Sequence, residues 1–424
     1  MAILDELHAR GLVADISDRD GLAALLAHPP VTFYCGYDPT AVSLHAGNLV
    51  PLSLMRHLAA AGHKMIALVG GATGMVGDPS GRSSERKLLD DETLATNQRA
   101  LADQIHRLVA ADAVIVNNAD WLGPIGFLHF LRDVGKHITV NYMLAKESVR
   151  ARLEDREQGI SYTEFSYMLL QAKDFVHLAQ TRQCRLQVGG SDQWGNITCG
   201  IELHRKATGG TEPAIFGMTV PLLLDASGKK FGKSEKGQNV WLNRGLTSPY
   251  QFYQFWVNVD DRDVERYLGM FTMLPRADIA EIAAAHAAAP ERREGQKILA
   301  LAVTAWVHGE EDAQRARKAS ELVFGQEVAG LTDEDLEALV GELPLTVMPA
   351  AELAAGLTLV EVLARTSLAT SKGEARRLIQ QGGAYVNNRR IDDVGFALTP
   401  AALDGRTTLF LRAGKRKMHL VRFV

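Results

Sequence analysis

The chain has 424 residues, of which 46% are apolar and 23% charged, and its formal net charge is −4. This length is enough for two or three domains, and the composition is typical of a globular protein with a large packed core. The small net charge excludes a protein that coats nucleic acid over its whole surface, although it leaves room for a local basic patch.

The cysteines and the N-terminus bear on the cellular compartment. Cys35, Cys184 and Cys199 form no CxxC pair, and three cysteines cannot all be bridged, so we expect free thiols in a reducing cytosol. The N-terminus carries acidic residues where a signal peptide carries basic ones. No stretch approaches the ~18 consecutive apolar residues of a membrane helix. We therefore expect a soluble, cytoplasmic protein with no membrane partner.

The first strongly patterned region predicts a strand–loop–helix–strand unit. Residues 31–35 and 64–69 are short apolar runs typical of buried strands. Between them, residues 48–61 have helical periodicity, which Gly62 ends. Such units build a parallel, doubly wound sheet, which binds ligands at the carboxyl ends of its strands. We therefore predict an α/β, Rossmann-like fold.

The elements that follow are predicted from the same periodicities. The glycine-rich segment 70–81 is expected to be a turn where the backbone approaches a ligand. The further predicted elements are helices at 90–111, 125–135 and 193–208, a helical stretch over 141–180 interrupted at Gly159, and strands at 113–117 and 185–189.

Changes in composition divide the chain into four segments. Residues 1–247 hold the Rossmann-like domain with a helical insertion, and the alanine-rich residues 248–325 predict an all-α domain. Residues 326–356 are acidic and predict short helices and linkers. Residues 357–424 contain 12 lysines and arginines against 5 acidic residues, a balance of +7 that leaves −11 for the rest of the chain. This basic tail resembles a small α+β RNA-binding module found in several ribosomal proteins.

Residues 225–235 form a Gly/Ser loop bracketed by lysines. The P-loop pattern needs four residues between its glycines, whereas Gly228 and Gly232 enclose three, and no apolar helix follows. The alternative is a mobile loop whose Lys230 and Lys233 reach the β- and γ-phosphates of a nucleoside triphosphate, because lysine is a compact charge on a flexible stem. Taken alone, a stretch of this kind is most often a solvated basic turn.

A second segment, about 190 positions upstream, supplies the other half of such a site. Thr40, His45, Gly47 and Asn48 lie at the start of the predicted helix directly after a strand. Backbone N–H groups and the helix dipole favour a phosphate there. Gly47 has no side chain, so adenine or ribose can lie against the backbone. A lone histidine is usually structural, but the two segments together predict one triphosphate site.

These two segments resemble the signatures of a known family. His-Ala-Gly-Asn at 45–48 is similar to the HIGH signature of class I aminoacyl-tRNA synthetases, and Lys-Phe-Gly-Lys-Ser at 230–234 is similar to their KMSKS loop. Asn48 replaces the final histidine and keeps a hydrogen-bond donor. The resemblance implies that the catalytic residues are Thr40, His45, Asn48, Lys230, Lys233 and Ser234.

Polar residues on one predicted helix face indicate an amino-acid pocket. Tyr167, Gln171 and Asp174 are spaced i, i+4, i+7 and therefore share a face. Burying a phenol, an amide and a carboxylate is costly unless they bind something, and an exposed polar stripe is the alternative. A second polar turn adds Asp192, suited to ribose hydroxyls, and Gln193, suited to a substrate carboxylate.

The ordered motifs closely resemble the bacterial tyrosyl-tRNA synthetases over essentially the whole chain. The matching segments are Tyr-Cys-Gly-Tyr-Asp-Pro-Thr, Gly-Asp-Pro-Ser-Gly, Tyr-Met-Leu-Leu-Gln-Ala-Lys-Asp, Ser-Asp-Gln-Trp-Gly-Asn and Lys-Phe-Gly-Lys-Ser. The resemblance implies a tyrosine site at Tyr34, Asp78, Tyr167, Gln171, Asp174 and Gln193. It implies an ATP and adenylate site at Gly36, Asp38, Gly47, Gly190, Asp192, Leu222, Leu223 and Lys233. In the tail it implies RNA contacts at Lys372, Arg376, Arg377 and Arg389.

The resemblance implies a tyrosine–tRNA ligase that activates L-tyrosine with Mg²⁺-ATP and transfers it to the terminal adenosine of tRNA(Tyr). It implies no tightly bound metal or organic cofactor, and a homodimer with its interface around residues 125–165. Two alternatives stay open: a non-catalytic RNA-binding or splicing cofactor on the same scaffold, and another nucleotidylyltransferase of the same fold. The retained His45, Lys230 and Lys233 argue against the first, and the basic tail argues against the second.

Overall fold

The computed structural model describes residues 2–80, 89–109, 112–154, 159–225, 228, 231–232, 238–328, 330–414 and 417–424. The chain divides into two compact units. Unit 1 comprises Met1–Asn243 and Val259–Gly295, and unit 2 comprises Arg244–Asn258 and Gln296–Val424. The finer boundaries at 247, 325 and 356 stay predictions.

Unit 1 is built around a five-stranded parallel sheet. Its strands are Thr32–Tyr37 (β1), Lys64–Val69 (β2), Val114–Asn117 (β3), Cys184–Gly190 (β4) and Phe216–Val220 (β5). Their order is β3-β2-β1-β4-β5, and every neighbouring pair is parallel. The chain winds outwards in both directions from β1, which confirms the doubly wound, Rossmann-like fold. The boundary between β1 and β4 is the switch point where such sheets bind ligands.

The helices that the sequence predicted before β5 are present with ends that differ by a few residues, except that the stretch 141–180 holds three helices where one interruption was predicted. The helices of this region are Ile3–Ala9 (α1), Arg19–Leu26 (α2), Leu49–Ala60 (α3), Gly71–Val76 (α4), Asp91–Leu108 (α5), Ala119–Leu122 (α6), Phe127–Asp133 (α7), Val140–Leu144 (α8), Glu147–Glu154 (α9), Tyr162–Arg182 (α10) and Trp194–Ala207 (α11). The elements missed in this region were helices α1, α2, α4 and α6 and strand β5; helix α4 lies inside the segment predicted as a turn.

The long helix α10 carries polar groups into the interior of unit 1. It begins after Ser161, whose hydroxyl accepts a hydrogen bond from the backbone of Glu164, and it ends at Gln183 in the left-handed conformation. Such a cap satisfies a backbone N–H group that has no partner within the first turn. Gly159 also has a positive φ, of 61°, where the sequence predicted the interruption between α9 and α10.

The remaining helices follow β5. They are Pro249–Val257 (α12), Val264–Phe271 (α13), Arg276–Ala288 (α14), Glu294–His308 (α15), Glu310–Val323 (α16), Asp333–Glu337 (α17), Ala350–Ala354 (α18), Leu359–Arg365 (α19), Lys372–Gln380 (α20) and Pro400–Leu403 (α21). Residues 248–324 are therefore helical, as predicted.

Unit 2 ends in a mixed sheet with the order β6-β10-β9-β7-β8. Its strands are Leu345–Met348 (β6), Ala384–Val386 (β7), Arg389–Ile391 (β8), Thr408–Ala413 (β9) and Lys417–Phe423 (β10). Strand β6 runs parallel to β10, and the other pairs are antiparallel. Helices α19 and α20 contribute buried side chains to one apolar core with β7, β9 and β10. The tail is thus α+β, and the segment predicted as linkers supplies one of its strands.

Two further observations concern the whole described chain. Within the ranges given above, none of the helices combines the length and the apolar character that crossing a bilayer requires. All three cysteines are buried and free.

Candidate active site

A cavity of about 690 Å³ lies at the carboxyl ends of β1 and β4 in unit 1. It brings together all of the predicted tyrosine, phosphate and adenylate residues that the structure describes. These are Tyr34, Gly36, Asp38, Thr40, His45, Gly47, Asn48, Asp78, Tyr167, Gln171, Asp174, Gly190, Asp192, Gln193, Leu222 and Leu223. The predicted Lys230, Lys233 and Ser234 lie outside the described residues.

One end of the cavity holds a phenol and a carboxylate, Tyr34 on β1 and Asp174 on α10. The side chain of Tyr34 is 1% exposed, and no described group bonds its hydroxyl. The carboxylate of Asp174 accepts hydrogen bonds from Trp121 Nε1 at 2.8 Å and from Asn118 Nδ2 at 2.9 Å. It is therefore held in a fixed orientation. A buried hydroxyl without a partner is costly, so this end of the cavity fits a ligand that supplies one.

Burial decides the protonation of this pair. It raises the pKa of Asp174 to about 7, although the hydrogen bonds from Asn118 and Trp121 oppose the rise. Burial, together with the nearby Asp174 carboxylate, raises the pKa of Tyr34 well above its usual value. Tyr34 therefore stays a neutral phenol, and Asp174 titrates close to neutrality. A second phenol entering this end would find a donor in Tyr34 and an acceptor in ionised Asp174.

The middle of the cavity carries two more carboxylates, Asp38 and Asp78. The hydroxyl of Tyr167 donates to Asp38 Oδ2 and that of Thr73 donates to Asp38 Oδ1, both at 2.8 Å. Gln193 Nε2 donates to Asp78 Oδ2 at 2.7 Å. Burial, followed by the Asp38 charge, raises the pKa of Tyr167 well above its usual value, so it remains a donor. Carboxylates converging in a low-dielectric cleft favour a positively charged group such as an ammonium.

Asn196 on α11 orders the amides beside these carboxylates. Its Nδ2 donates to Gln171 Oε1 at 3.1 Å and to Gln193 Oε1 at 3.2 Å. Because both amide oxygens are engaged, the amide nitrogens of Gln171 and Gln193 are turned away from Asn196 and remain donors. The Gln193 donor reaches Asp78, which ties the predicted carboxylate-binding residue to the predicted ammonium-binding one.

The opposite end of the cavity has donors at the start of α3. His45 Nδ1 accepts a hydrogen bond from the Gly47 N–H at 3.1 Å, so we assign the ring proton to Nε2, which becomes a donor. Asn48 Oδ1 accepts from the His45 N–H at 3.0 Å, which closes a reciprocal cap. Asn48 thus orients His45 with its amide oxygen. Donors at a helix start are suited to a phosphate.

The two halves of the predicted triphosphate site meet. The Val240 N–H donates to the Gly232 carbonyl at 3.0 Å, and the Ala46 N–H donates to the Val240 carbonyl at 2.8 Å. A Cβ atom on Gly232 would lie 2.8 Å from the Gly47 nitrogen. The Phe231 ring packs on Tyr267 and Phe271 with centroid distances of 5.1 and 5.6 Å. The described part of the lysine-bracketed loop therefore lies against the helix start that carries His45.

The predicted nucleoside end lies between β4 and the segment after β5. A Cβ atom on Gly190 would lie 2.5 Å from Asp192 Oδ1, so any side chain at position 190 would displace the Asp192 carboxylate. Leu223 is 6% exposed and Leu222 is 50% exposed, and both line the cavity. An apolar wall next to a carboxylate suits a base and its ribose hydroxyls.

Comparisons with known proteins add a separate line of support. A family model described as "tRNA synthetases class I (W and Y)" matches residues 26–325, and one described as "Tyrosine--tRNA ligase SYY-like C-terminal domain" matches residues 336–421. The tyrosine–tRNA ligase of Bacillus caldotenax is 49% identical to this chain over 429 residues, and that of Opitutus terrae is 50% identical over 430. Both alignments cover 100% of each chain.

The chain belongs to the tyrosine–tRNA ligase family. Among solved structures, the C-terminally truncated mitochondrial tyrosyl-tRNA synthetase of Aspergillus nidulans is similar, with 31% identity and a TM-score of 0.69. The match covers 76% of this chain and 94% of that one. The first family model spans both tryptophan and tyrosine enzymes, so the C-terminal match and the full-length relatives are what single out the tyrosine family.

The match to the tyrosine–tRNA ligase C-terminal domain includes most of the basic tail, where the four predicted RNA-binding residues lie. Lys372, Arg376, Arg377 and Arg389 are all exposed. Lys372 pairs with Glu361 at 2.9 Å, and Arg389 lies 4.0 Å from Glu327. Exposed pairs of this kind contribute little stability, so both cations are available for exchange with a phosphate.

Sequence reasoning missed several polar residues at this cavity. Asn118, Trp121, Thr73 and Asn196 hold the predicted side chains in place. The only signal for Asn118 was its position just after a short strand, since strand ends of a parallel sheet gather at one edge. Among the described residues, no group of three or more His, Cys, Asp or Glu side chains is placed to hold a metal ion.

Proposed function

We propose that this chain joins L-tyrosine to tRNA(Tyr) in two steps. In the first, a carboxylate oxygen of tyrosine attacks the α-phosphorus of ATP, the bond to the β-phosphate oxygen breaks, and pyrophosphate leaves. In the second, a ribose hydroxyl of the terminal tRNA adenosine attacks the acyl carbon, and AMP leaves. ATP enters as its magnesium complex. The observation that carries the proposal is the buried Tyr34 hydroxyl, which no described group bonds, in one cavity with the oriented Asp174 carboxylate.

The phenol pair accounts for the choice of tyrosine. The substrate hydroxyl donates to Asp174 and accepts from Tyr34, so it satisfies both groups at once. Phenylalanine would leave the buried Tyr34 hydroxyl without a partner and would add no donor to the Asp174 carboxylate, which keeps only Asn118 and Trp121. The resulting free-energy cost falls on the wrong substrate alone. Tryptophan has an indole N–H but no hydroxyl acceptor for Tyr34.

The rest of the cavity orients the tyrosine backbone and the nucleotide. Asp78, Tyr167 and Gln171 bind the ammonium, and Gln193 lies near the carboxylate. Further residues take the nucleotide: Asp38, Gly190 and Asp192 contact the adenylate, Gly36 and Gly47 leave room beside it, and Leu222 and Leu223 line the adenine. Charge repulsion between the carboxylates and the phosphates favours the ammonium end for the amino acid and the α3 end for the triphosphate.

Catalysis is assigned to positioning and to stabilisation of the charge on departing pyrophosphate. Thr40 and His45 meet the γ-phosphate, and Asn48 orients His45. The ammonium groups of Lys230 and Lys233, with the Ser234 hydroxyl, act from the opposite loop. The packing of Phe231 against Tyr267 anchors the middle of that loop, which lies beside Gly47.

We also propose that the ligase acts as a homodimer in the cytoplasm. Exposed apolar side chains cluster along one stretch of the insertion: Phe127 (63% exposed), Leu128 (77%), Val140 (58%), Leu153 (47%) and Tyr162 (65%). An exposed apolar cluster of this kind indicates a protein interface. Tyr162→Asp should yield monomers in sedimentation, whereas Val114→Asp, at a 42% exposed position outside the stretch, should leave the dimer intact. A monomeric wild-type protein would contradict this assignment.

The direct test of the function is exchange of labelled pyrophosphate into ATP, measured with tyrosine, phenylalanine and tryptophan in turn. We expect exchange with tyrosine alone, followed by acylation of tRNA(Tyr). No exchange with any amino acid would favour the RNA-binding cofactor. Exchange that requires a different small metabolite would favour another nucleotidylyltransferase.

A further inference from the structure

The indole that orients Asp174 is itself held by a histidine. Trp121 lies in α6 and donates its Nε1–H to Asp174. Its ring stacks on the imidazole of His177, with centroids 4.4 Å apart and planes inclined by 14°. His177 follows Asp174 by one helical turn on α10, so the carboxylate and the stacking ring project from the same side of one helix.

Trp121 lies beside a second cavity, so its stack with His177 matters for the orientation of the indole. Trp121 and His177 both line this cavity of about 580 Å³, which lies beside β3 and outside the tyrosine site. Trp121 is partly buried against the apolar cluster that includes Tyr34 and Phe175, but where its ring borders open volume it lacks packing neighbours to fix its side-chain torsions. Burial, and then the charges of Lys173 and Arg182, lower the pKa of His177, so the contact is a stack of two neutral rings. Stacked aromatic pairs add attraction beyond the area they bury.

We propose that His177 is a positioning residue for tyrosine selection, because its ring holds the Trp121 indole so that the N–H points at the Asp174 carboxylate. This inference rests on the proposed function and adds to it a determinant outside the cavity. Without the imidazole, the indole can rotate into the second cavity. Asp174 then loses one of its two donors and the orientation in which it accepts the substrate phenol.

Loss of this hydrogen bond should weaken the binding of tyrosine but not that of phenylalanine, because phenylalanine has no hydroxyl that could donate to Asp174. For His177→Ala we expect the KM for tyrosine to rise about tenfold, equivalent to about 1.4 kcal/mol, with kcat within about twofold of wild type. The ratio of kcat/KM for tyrosine to that for phenylalanine should fall by the same factor. A merely structural role would lower kcat/KM for tyrosine and for phenylalanine by the same factor and leave their ratio unchanged.

A double-mutant cycle with Trp121→Phe shows whether the effect passes through the indole. Trp121→Phe removes the N–H, so a further His177→Ala change should no longer alter the tyrosine/phenylalanine ratio. His177→Phe keeps a flat ring and should restore most of the ratio, whereas His177→Leu should not. Comparison of the Phe and Leu variants decides the matter even if His177→Ala folds poorly. His106→Ala, at an exposed histidine of α5, is the control for loss of an imidazole.

The outcomes for this inference and for the function are separable. If the wild-type protein shows no tyrosine-dependent exchange, the proposed function is wrong. If the wild type is active and His177→Ala keeps the wild-type ratio, the positioning role is wrong and the function stands. An equal effect of His177→Ala with and without the Trp121 indole would likewise overturn the inference.

Discussion

Replacement of Tyr34 by phenylalanine separates the effect of its hydroxyl on the stability of the free protein from its effect on tyrosine binding. In the free protein the Tyr34 hydroxyl is buried and no described group bonds it. Its neighbour on β1, Tyr37, is also buried, but its hydroxyl donates to Met55 Sδ at 3.2 Å. The two phenols therefore differ in one respect that matters for stability, namely whether the hydroxyl has a partner.

The structure determines the sign of the effect on stability and of the effect on tyrosine binding. An unpaired buried polar group costs about 1–3 kcal/mol, so Tyr34→Phe should raise the free energy of unfolding of the free protein by about 1 kcal/mol, allowing for the small void. With tyrosine bound, the variant loses one neutral hydrogen bond of about 0.5–1.5 kcal/mol, so tyrosine should bind about 2- to 13-fold more weakly. Phenylalanine should bind no worse, and discrimination should fall.

The assay is denaturant unfolding of the free variants together with equilibrium binding of both amino acids. Tyr37→Phe is the matched control and should not stabilise the free protein. Destabilisation of the free protein by Tyr34→Phe would refute the reasoning, because the hydroxyl would then have a partner before substrate arrives. Unchanged discrimination would refute the assignment of this end of the cavity to the phenol.

Three further predictions concern charge. Because ionised Asp174 accepts the substrate phenol and its pKa is about 7, the tyrosine/phenylalanine ratio of kcat/KM should rise with pH and level off above about 7. The free protein should lose stability as pH rises from 3.8 towards 7, since burial raises the pKa of Asp174 in the folded state. Asp174→Asn should abolish both trends. Lys233→Ala should slow tyrosyl-adenylate formation about 100-fold in single turnovers while leaving tyrosine binding unchanged, and an unaltered rate would remove the loop from the mechanism. Arg376→Ala should reduce the slope of log affinity for tRNA against log salt by about 1 without altering pyrophosphate exchange, and an unchanged slope would place that side chain away from phosphate.

The fold was predictable where apolar periodicity is strong and local. Strand β2 and helix α3 follow the predicted bounds closely, because residues 65–69 are all apolar and buried and most residues of α3 are buried as well. Strand β5 escaped prediction because it is five residues long and has a glycine at its second position. Strand β6 is four residues long and pairs with a strand more than 70 positions later, a contact that no local pattern reveals.

The site was predictable to the extent that each segment carried its own chemistry. The i, i+4, i+7 spacing on α10 placed Tyr167 and Asp174 on one buried face, as the structure shows. Spacing gave no information on which groups would bond Asp174. Its donors Asn118 and Trp121 come from the four-residue helix α6 and the residue before it. Only the pairing of β3 with β2 brings that short helix to the same edge of the sheet.

The central claim is that two distant segments form one triphosphate site, and a pair of loop glycines tests it most directly. Gly228 and Gly232 have φ values of 81° and 93°, so alanine strains both similarly. A Cβ atom at Gly228 meets no atom of the described residues within 4 Å, whereas one at Gly232 would lie 2.8 Å from the Gly47 nitrogen. The measurement is the single-turnover rate of tyrosyl-adenylate formation for the two alanine variants. We predict a rate for Gly232→Ala at least about 100-fold below that of Gly228→Ala, the size of a lost transition-state contact. Equal rates for the two variants would contradict the claim.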